Sequence, residues 1–145
     1  MYKLAVIGLG KLGLCTAECL ASAGYDVLGI DINEKFVNLI NKKIAPIEEP
    51  GIQDLINKYP IEATIDFSRI KDRDVSFIVV PTNSLPSGDF DSSYVESAVK
   101  NISLNLNKNK YHVFDVVSTV TPGTLENKID PLIKYITKRK EEEYG

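Results

Sequence analysis

Cysteine and histidine are scarce in this chain. Its 145 residues include two cysteines, Cys15 and Cys19, and a single histidine, His112. A metal site needs several such ligands close together, so the sequence predicts none. The two cysteines lie one turn apart on a predicted helix, whose backbone is too rigid for an easy disulfide between them. We expect both thiols to be free, to pack in or near the core, and to reflect the reducing cytoplasm.

Long apolar runs and blocks of basic charge are missing as well. No apolar run approaches the roughly 18–20 residues that a membrane span requires, and no signal peptide precedes the first predicted strand. The net charge is only −3, with acidic and basic residues mixed along the chain. These absences argue against a membrane protein and against a partner that is a nucleic acid.

Short runs rich in Val and Ile alternate with amphipathic stretches. The runs are nearly continuous, as in strands covered on both faces, and predict strands at 2–7, 26–30, 62–65, 75–80 and 112–117. Helices are predicted at 11–23, 33–41, 51–58 and 93–105, with a last one starting near Pro122 and restarting at Pro131. This alternation predicts one α/β domain over 1–145, of the Rossmann type, with a doubly wound, mainly parallel sheet and helices on both faces.

Three capping signals accompany the predicted helices. Gly24 follows the first helix, where a left-handed residue belongs. Ser93 and Glu96 have the spacing of a capping box. Thr121 followed by Pro122 is typical of an N-cap with proline at the first helical position. These signals predict where the helices begin and end.

A glycine-rich turn follows the first predicted strand. The sequence GLGKLG matches GxGxxG, and the match is informative because the turn leaves a strand and opens a helix. Gly8 permits the tight turn, Gly10 lets the backbone approach a pyrophosphate, and Gly13 lets the helix pack on the strand. The amides at this helix start, with those of Lys11 and Leu12 among them, would face the phosphates together with the helix dipole.

An acidic residue completes this fingerprint. Asp31 ends the second predicted strand, about 20 residues past the middle glycine, where a carboxylate accepts hydrogen bonds from ribose hydroxyls. The carboxylate would also repel a 2′-phosphate, which favours NAD over NADP, although Lys35 could soften that repulsion. The structural alternative is that the glycines only make a turn and that Asp31 caps the next helix. With every part in register, the sequence predicts dinucleotide binding with NAD as the cofactor.

Three further segments carry a resemblance to a known family. The first is PIEEPG at 46–51 followed by Ile52 and Leu55, the second is VPTN at 80–83 with Asp91 and Tyr94-Val95 downstream, and the third is VSTVTPGT at 117–124. They are similar to the P-I-x-E-P-G-L, V-P-T-P, D-x-S-Y-V and S-T-x-P-P-G-T segments of the UDP-glucose/GDP-mannose dehydrogenase family, which includes UDP-N-acetylmannosamine dehydrogenases. The resemblance runs from Lys3 to about Lys134.

Two of these segments leave the carboxyl ends of predicted strands, the edge where open α/β sheets bind ligands. Pro81, Thr82 and Asn83 can offer hydroxyl, amide and backbone groups to a ribose or phosphate, although they also suit a simple turn. Ser118 and Thr119 are equally suited to capping a helix. The resemblance implies that Ser118 contacts the cofactor, and that Thr119 lies beside the nicotinamide and helps to place the reacting water and substrate.

Other positions depart from the family pattern or carry a weaker expectation. The family usually has proline at the position of Asn83, and some members have arginine near the adenosine where this chain has Phe36. Glu49 belongs to a family-like segment. Its simplest explanation is nevertheless a solvated loop carboxylate or an acid in the first turn of a helix.

The resemblance also implies an activity. Family members oxidise the C6 primary alcohol of a nucleotide sugar, such as UDP-glucose, UDP-N-acetylmannosamine or GDP-mannose, to a carboxylate. Two hydrides pass to two NAD molecules, through a thiohemiacetal and a thioester on a cysteine that a later domain supplies. Cys15 and Cys19 lie inside the first helix, away from that position. We therefore expect 1–145 to be a truncated amino-terminal domain that binds NAD without turning over substrate.

Alternatives to this interpretation stay open from the sequence. One is a stand-alone NAD-sensing regulatory module; another is the amino-terminal half of a 6-phosphogluconate or 3-hydroxyacyl-CoA type of dehydrogenase. The full-length enzyme of polysaccharide biosynthesis is expected to be a homodimer that binds its nucleotide sugar through later domains. Because the resemblance implies assembly mostly through the later domains, this chain is expected to be a monomer or a weak dimer. An absent sixth strand would leave a sheet edge open, which would favour some self-association.

Overall fold

Five strands form one sheet in the computed structural model, which describes residues 1–145 apart from the side chain of Glu141. The strands are β1 (Lys3–Ile7), β2 (Asp26–Ile30), β3 (Glu62–Thr64), β4 (Val75–Ile78) and β5 (Val113–Val116). Their spatial order is β3-β2-β1-β4-β5, and all neighbours are parallel. The order reverses between β1 and β4, which creates the crevice at which such sheets bind ligands. The predicted Rossmann-type fold is confirmed.

Helices cover both faces of the sheet. They are α1 (Lys11–Ser22), α2 (Glu34–Asn41), α3 (Ile52–Lys58), α4 (Ser93–Asn105) and α5 (Asp130–Thr137), with 3₁₀ helices at Phe67–Asp72 and Glu141–Glu143. A π-helical turn, Leu125–Ile129, leads directly into α5. The predicted strands and the first four predicted helices are therefore confirmed to within two residues at each end.

Alternation along the strands divides the core into two layers. In β1, Leu4 and Val6 pack with α1, α2 and α3, whereas Ala5 and Ile7 pack on the other face with α4 and α5. All four are at most 5% exposed. Because successive strand side chains point to opposite faces, only a continuous apolar run can bury both faces of a strand in this way.

The register of the sheet aligns the carboxyl ends of its central strands. Ile7 of β1 pairs with Ile30 of β2 and with Ile78 of β4, and Ile78 pairs with Val116 of β5. The residues that follow these four positions therefore leave the sheet side by side, although they are distant in sequence. They include the glycine turn, Asp31 and the two predicted ligand-binding loops.

The first helix ends as its sequence predicts. Gly24 has φ of +92°, a conformation that favours glycine. Its N–H donates to Ala21 O, and the N–H of Tyr25 donates to Leu20 O. These two bonds form a Schellman motif, which satisfies carbonyl groups at the helix end.

The predicted capping box at Ser93 and Glu96 is wrong. Helix α4 begins at Ser93, whose N–H donates to Asp91 Oδ1 at 2.9 Å. The hydroxyl of Ser92 donates to Glu96 Oε1 at 2.7 Å instead. Sequence spacing cannot distinguish the two adjacent serines, since either can precede the glutamate on a first helical turn.

The last helix restarts within one residue of Pro131, as predicted, but the predicted N-cap at Thr121 is wrong. Gly123 has φ of +86°, so the chain makes a turn there rather than a helix. The Thr121 hydroxyl accepts from Phe90 N at 3.0 Å, which ties the turn to another loop instead of capping a helix. The π turn leads directly into α5, which begins at Asp130 and holds Pro131 in its first turn, a position that suits proline.

The two cysteines have different environments. Both are free; Cys15 packs against the core, whereas Cys19 is exposed, so its predicted burial is wrong. The buried stripe of α1 consists of Gly13, Leu14, Ala17 and Glu18, and Cys19, the residue after this stripe, points towards solvent. In the described part of the chain, no group of three or more His, Cys, Asp or Glu side chains is placed to hold a metal. No helix there is both long enough and apolar enough for a membrane span.

Residues 144 and 145 pair with the outer edge of β5. Gly145 N donates to His112 O at 3.1 Å, and Phe114 N donates to Gly145 O. The sheet edge that we expected to be open is therefore covered at its amino-terminal end. His112 is buried beneath this pairing, with its ring nitrogens 2.9 Å from Ser76 Oγ and 3.2 Å from Arg73 O. Burial lowers the pKa of His112 to about 4, so the ring is neutral at pH 7.

Candidate dinucleotide-binding cleft

A cleft of about 620 Å³ opens at the carboxyl ends of β1, β2, β4 and β5. It brings together most of the predicted site residues, which line its wall: Gly8, Gly10, Lys11, Leu12, Gly13, Asp31, Pro81, Thr82, Ser118 and Thr119. Two predicted residues do not line it. Lys35 is exposed on α2, and Asn83 lies in the turn after β4, where its carbonyl accepts from Asp91 N at 2.8 Å.

The outer two glycines of the turn are required by the protein itself. Gly8 has φ of +93°, and a Cβ there would lie 2.3 Å from Val79 O. A Cβ at Gly13 would lie 1.8 Å from Gly8 O. Both contacts are far inside van der Waals distance, so these positions fix the close approach of α1 to β1 and β4.

The middle glycine is different, because nothing in the protein requires it. Gly10 has an ordinary φ of −68°, and a Cβ there would meet no protein atom within 4 Å. Since Gly10 lines the cleft, a side chain at this position would take space that a ligand can otherwise use. The absence of a side chain at Gly10 thus fits a ligand that approaches the backbone closely.

The amino-terminal end of α1 offers unused hydrogen-bond donors. The first N–H of the helix to find an acceptor is that of Leu14, which donates to Gly10 O at 2.9 Å. The N–H groups of Gly10, Lys11, Leu12 and Gly13 have no acceptor among the residues that the structure describes. Unpaired N–H groups at a helix start, together with the helix dipole, form a binding site for phosphate.

Asp31 connects the glycine turn to the start of α2. Its Oδ2 accepts from Leu9 N at 2.6 Å and its Oδ1 from Asn33 N at 2.7 Å. The helix itself is capped by Asn33, whose side chain accepts from Lys35 N and Phe36 N. The alternative that Asp31 caps α2 is therefore wrong. Each carboxylate oxygen keeps lone-pair capacity for ribose hydroxyls.

Ser118 joins the loops that follow β4 and β5. Its hydroxyl accepts from Val80 N at 2.9 Å and lies 2.7 Å from Val80 O, to which it donates. It does not cap a helix, so that alternative is wrong for Ser118. The hydroxyl of the neighbouring Thr119 is exposed at the cleft and has no hydrogen-bond partner among the described residues. One hydroxyl thus holds the wall of the cleft together while the next faces the space inside it.

Glu49 is not the solvated loop carboxylate that its sequence context suggests. Its Oε2 lies 2.6 Å from the Lys11 ammonium, and its side chain is only 28% exposed. The hydrogen bond to Glu49 and the charge of Glu49 raise the pKa of Lys11. The PIEEPG segment therefore reaches the edge of the cleft at the helix start.

Several cleft residues are not predicted by the sequence analysis. Ile32, Phe36 and Phe67 add apolar surface to the cleft lining, and Tyr94, Ser97 and Asn101 line the cleft from α4. The α4 residues recur at helical spacing on one face. That periodicity was visible in the sequence, but a polar helical face is ordinarily read as solvent-exposed.

Comparison with known proteins agrees with this geometry. The family model described as "UDP-glucose/GDP-mannose dehydrogenase family, NAD binding domain" matches residues 2–144. The chain belongs to this family. Its cofactor is NAD, as predicted, and the match favours this family over the 6-phosphogluconate and 3-hydroxyacyl-CoA types of dehydrogenase.

Relatives of this NAD-binding domain are longer enzymes. GDP-mannose 6-dehydrogenase from Pseudomonas aeruginosa is 36% identical over 144 residues, which cover 95% of this chain and 33% of that protein. UDP-glucose 6-dehydrogenase AglM from Haloferax volcanii is 35% identical over 136 residues, or 91% of this chain and 32% of that one. The chain thus spans about a third of the length of these relatives.

A solved structure shares the backbone of the domain. A ternary complex of GDP-mannose dehydrogenase from Pseudomonas aeruginosa superimposes with a TM-score of 0.93 at 35% identity, covering 99% of this chain and 34% of that one. The cleft of this NAD-binding domain fits its cofactor. The N–H groups at the start of α1 are unpaired, Asp31 lies at the end of β2, and the lining combines apolar side chains such as Ile32 and Phe36 with hydroxyl and amide groups.

Replacing Ser118 by alanine is expected to destabilise the NAD-binding domain. The change removes both hydrogen bonds to Val80 and leaves its partly buried N–H without an acceptor, which costs about 1–3 kcal/mol. The matched control is Thr119→Val, which removes a hydroxyl that has no partner. Chemical denaturation should show a lower free energy of unfolding for Ser118→Ala only, and equal losses in both variants would contradict the assignment.

Proposed function

We propose that this NAD-binding domain serves an NAD-dependent nucleotide-sugar 6-dehydrogenase. Such an enzyme oxidises the C6 primary alcohol of its nucleotide sugar to a carboxylate with two NAD. The names of the relatives, GDP-mannose 6-dehydrogenase and UDP-glucose 6-dehydrogenase, support this reaction class. The observation that carries the proposal is the cleft at the switch point of the sheet, with four unpaired N–H groups at the start of α1.

The residues of the cleft divide into binding and positioning groups. The N–H groups of residues 10–13 bind the pyrophosphate, and Asp31 accepts from the adenosine ribose. Bound NAD supplies the hydride acceptor. Thr82 and Thr119 present hydroxyls at the ends of β4 and β5, and Thr119 is the residue that we propose to position the reacting water and substrate beside the nicotinamide. Ser118 holds this wall in place through Val80.

Neither cysteine of the domain is suited to covalent catalysis. Cys15 and Cys19 do not line the cleft. Burial, with a smaller contribution from the charge of Glu49, raises the pKa of Cys15 and so lowers its thiolate fraction. We therefore propose that residues 1–145 bind NAD without oxidising a nucleotide sugar, and that a nucleophile and sugar site outside these residues complete the enzyme.

The proposal is tested by measuring binding and turnover on the same sample of residues 1–145. Calorimetry should show binding of NAD. Incubation with NAD and each of UDP-glucose, UDP-N-acetylmannosamine and GDP-mannose should give no absorbance from reduced nicotinamide. Reduced NAD in any of the three mixtures would show that the domain is catalytic on its own, and an absence of NAD binding would contradict the cofactor site.

We further propose that residues 1–145 form a monomer or a weak dimer, whereas the full-length enzyme is a homodimer. The pairing of Gly145 with His112 and Phe114 covers part of the β5 edge, which limits pairing of that edge with a second copy. Light scattering should give the same molar mass with and without NAD, that of a monomer or of a monomer in equilibrium with a dimer. A change of size on addition of NAD would instead favour a stand-alone NAD-sensing module.

A further inference from the structure

An ion pair lies at the start of α1, beside the donors that face the cleft. The Lys11 ammonium is 2.6 Å from Glu49 Oε2. Lys11 is the first residue of α1 and lines the cleft, and its side chain is 73% exposed. Its charge is therefore next to the unpaired N–H groups, yet it is already matched by a carboxylate from another part of the chain.

The loop that carries Glu49 is held by its own contacts. The side chain of Gln53 accepts from Ala45 N and donates to Lys43 O, both at 2.9 Å, and Ile47 packs against the core. Ile52 N also donates to Glu49 O at 3.2 Å. These contacts fix the backbone of the loop without the ion pair, so the long lysine side chain is the partner that can move.

A pyrophosphate bound at the helix start would therefore lie near a protonated lysine whose charge is already balanced by Glu49. The phosphates and the Glu49 carboxylate are both anions that would lie near the amino-terminal end of α1, and they would compete for the single ammonium of Lys11. At low ionic strength, charges within about 10 Å of one another interact appreciably even near a protein surface. Glu49 thus opposes the attraction that Lys11 would otherwise exert on a dinucleotide.

We propose that Glu49 is an affinity-setting residue: by holding Lys11, it weakens the binding of the dinucleotide pyrophosphate and reduces the dependence of that binding on salt. The inference rests on the NAD-binding cleft described above. It assigns a role to the PIEEPG segment, which lies apart from the glycine turn in sequence and touches the cleft lining through the contact of Glu49 with Lys11.

The experiment compares NAD affinity in four proteins by calorimetry at low and high salt: the unaltered domain, Glu49→Gln, Lys11→Met and the double variant. Glu49→Gln should bind NAD about three- to ten-fold more tightly at low salt, with a steeper loss on adding salt. Lys11→Met should bind more weakly, because the Glu49 charge is then unopposed. The double variant should return the salt dependence to that of the unaltered domain.

Two controls separate this electrostatic role from a structural one. Glu48→Gln removes the same charge from the adjacent exposed position, which has no ion-pair partner among the described residues, and should leave NAD affinity unchanged. Adenosine, which lacks phosphate, should bind equally to all variants when titrated by NMR. If Glu49→Gln lowers the melting temperature and leaves NAD affinity and its salt dependence unaltered, the proposal is overturned.

Failure of this inference is distinguishable from failure of the cofactor site. If the unaltered domain binds NAD but the four proteins share one affinity and one salt slope, Glu49 has no affinity-setting role and the cleft assignment stands. If the unaltered domain does not bind NAD, both are overturned. An equal gain in affinity from Glu48→Gln and Glu49→Gln would show that only the net charge of the domain matters, which would contradict the ion-pair argument.

Discussion

Replacing Gly10 by valine is expected to weaken NAD binding about 100-fold or more while the domain remains folded. The added side chain would enter space that is free of protein atoms and belongs to the cleft. It would separate the unpaired N–H groups of the helix start from the pyrophosphate. Because φ at Gly10 is −68°, valine introduces no left-handed strain, and the free energy of unfolding should change by only about 1 kcal/mol.

The matched control for Gly10 is the next glycine of the turn. In Gly13→Ala, the new Cβ would lie 1.8 Å from Gly8 O, so the helix must move away from the strand or the domain must unfold. Calorimetry and thermal denaturation on both variants separate the two effects. Gly10→Val should lose NAD affinity with little change in melting temperature, whereas Gly13→Ala should lose both. Retained NAD affinity in a folded Gly10→Val variant would exclude a pyrophosphate at this turn.

Replacing Glu18 by glutamine is expected to stabilise the domain by about 3 kcal/mol at pH 8 and by little at pH 4. Glu18 is fully buried on α1, and neither carboxylate oxygen has a hydrogen-bond partner among the described residues. Burial raises the pKa of Glu18 from 4.5 to about 7. Glutamine keeps the size and polarity of the protonated acid and removes only its ionisation.

The direction of this pH effect follows from proton binding. Between pH 4.5 and about 7, the folded state holds a proton on Glu18 that the unfolded state has released, so stability falls as pH rises. Below pH 4.5 the acid is protonated in both states and the penalty disappears. Chemical denaturation of both proteins across pH 4–8 should give curves that diverge over this interval. Parallel curves would show that Glu18 ionises normally or has a partner.

His112 provides an internal check on the same curves. Burial lowers its pKa from 6.5 to about 4, so the unfolded state binds the additional proton and stability rises with pH between these values. The slopes of Glu18 and His112 are therefore opposite and overlap in the unaltered protein. In Glu18→Gln, the slope from His112 should remain and become visible as a gain in stability from about pH 4 to 6.5.

Local sequence patterns predict those features that depend on neighbouring residues. Gly8 and Gly24 lie where the backbone needs positive φ, and the strands of the sheet are continuous apolar runs because both faces are buried. The GxGxxG turn defines which N–H groups are left unpaired, since the start of any helix leaves its first donors free. The cofactor and the family could be predicted as well, because the motifs that indicate them are short segments of neighbouring residues.

Predictions fail where a side chain has a choice of partners. Thr121 and Ser118 both have the sequence context of a helix cap, yet their hydroxyls bind Phe90 N and Val80 N, which belong to other loops. In the same way, the hydroxyl that bonds with Glu96 is that of Ser92 and not that of Ser93. Hydroxyl groups bond with almost any nearby backbone group, so their partners depend on which loops the fold brings close.

The sequence by itself determined the parallel sheet, the phosphate-binding turn and membership of an NAD-binding family, because each is encoded in residues close together along the chain. The tertiary structure alone decided that Lys11 is neutralised by Glu49, that Glu18 is buried without a partner, and that Lys35 and Asn83 lie outside the cleft. Charge pairing and desolvation depend on distances between segments remote in sequence, and only the folded chain sets those distances.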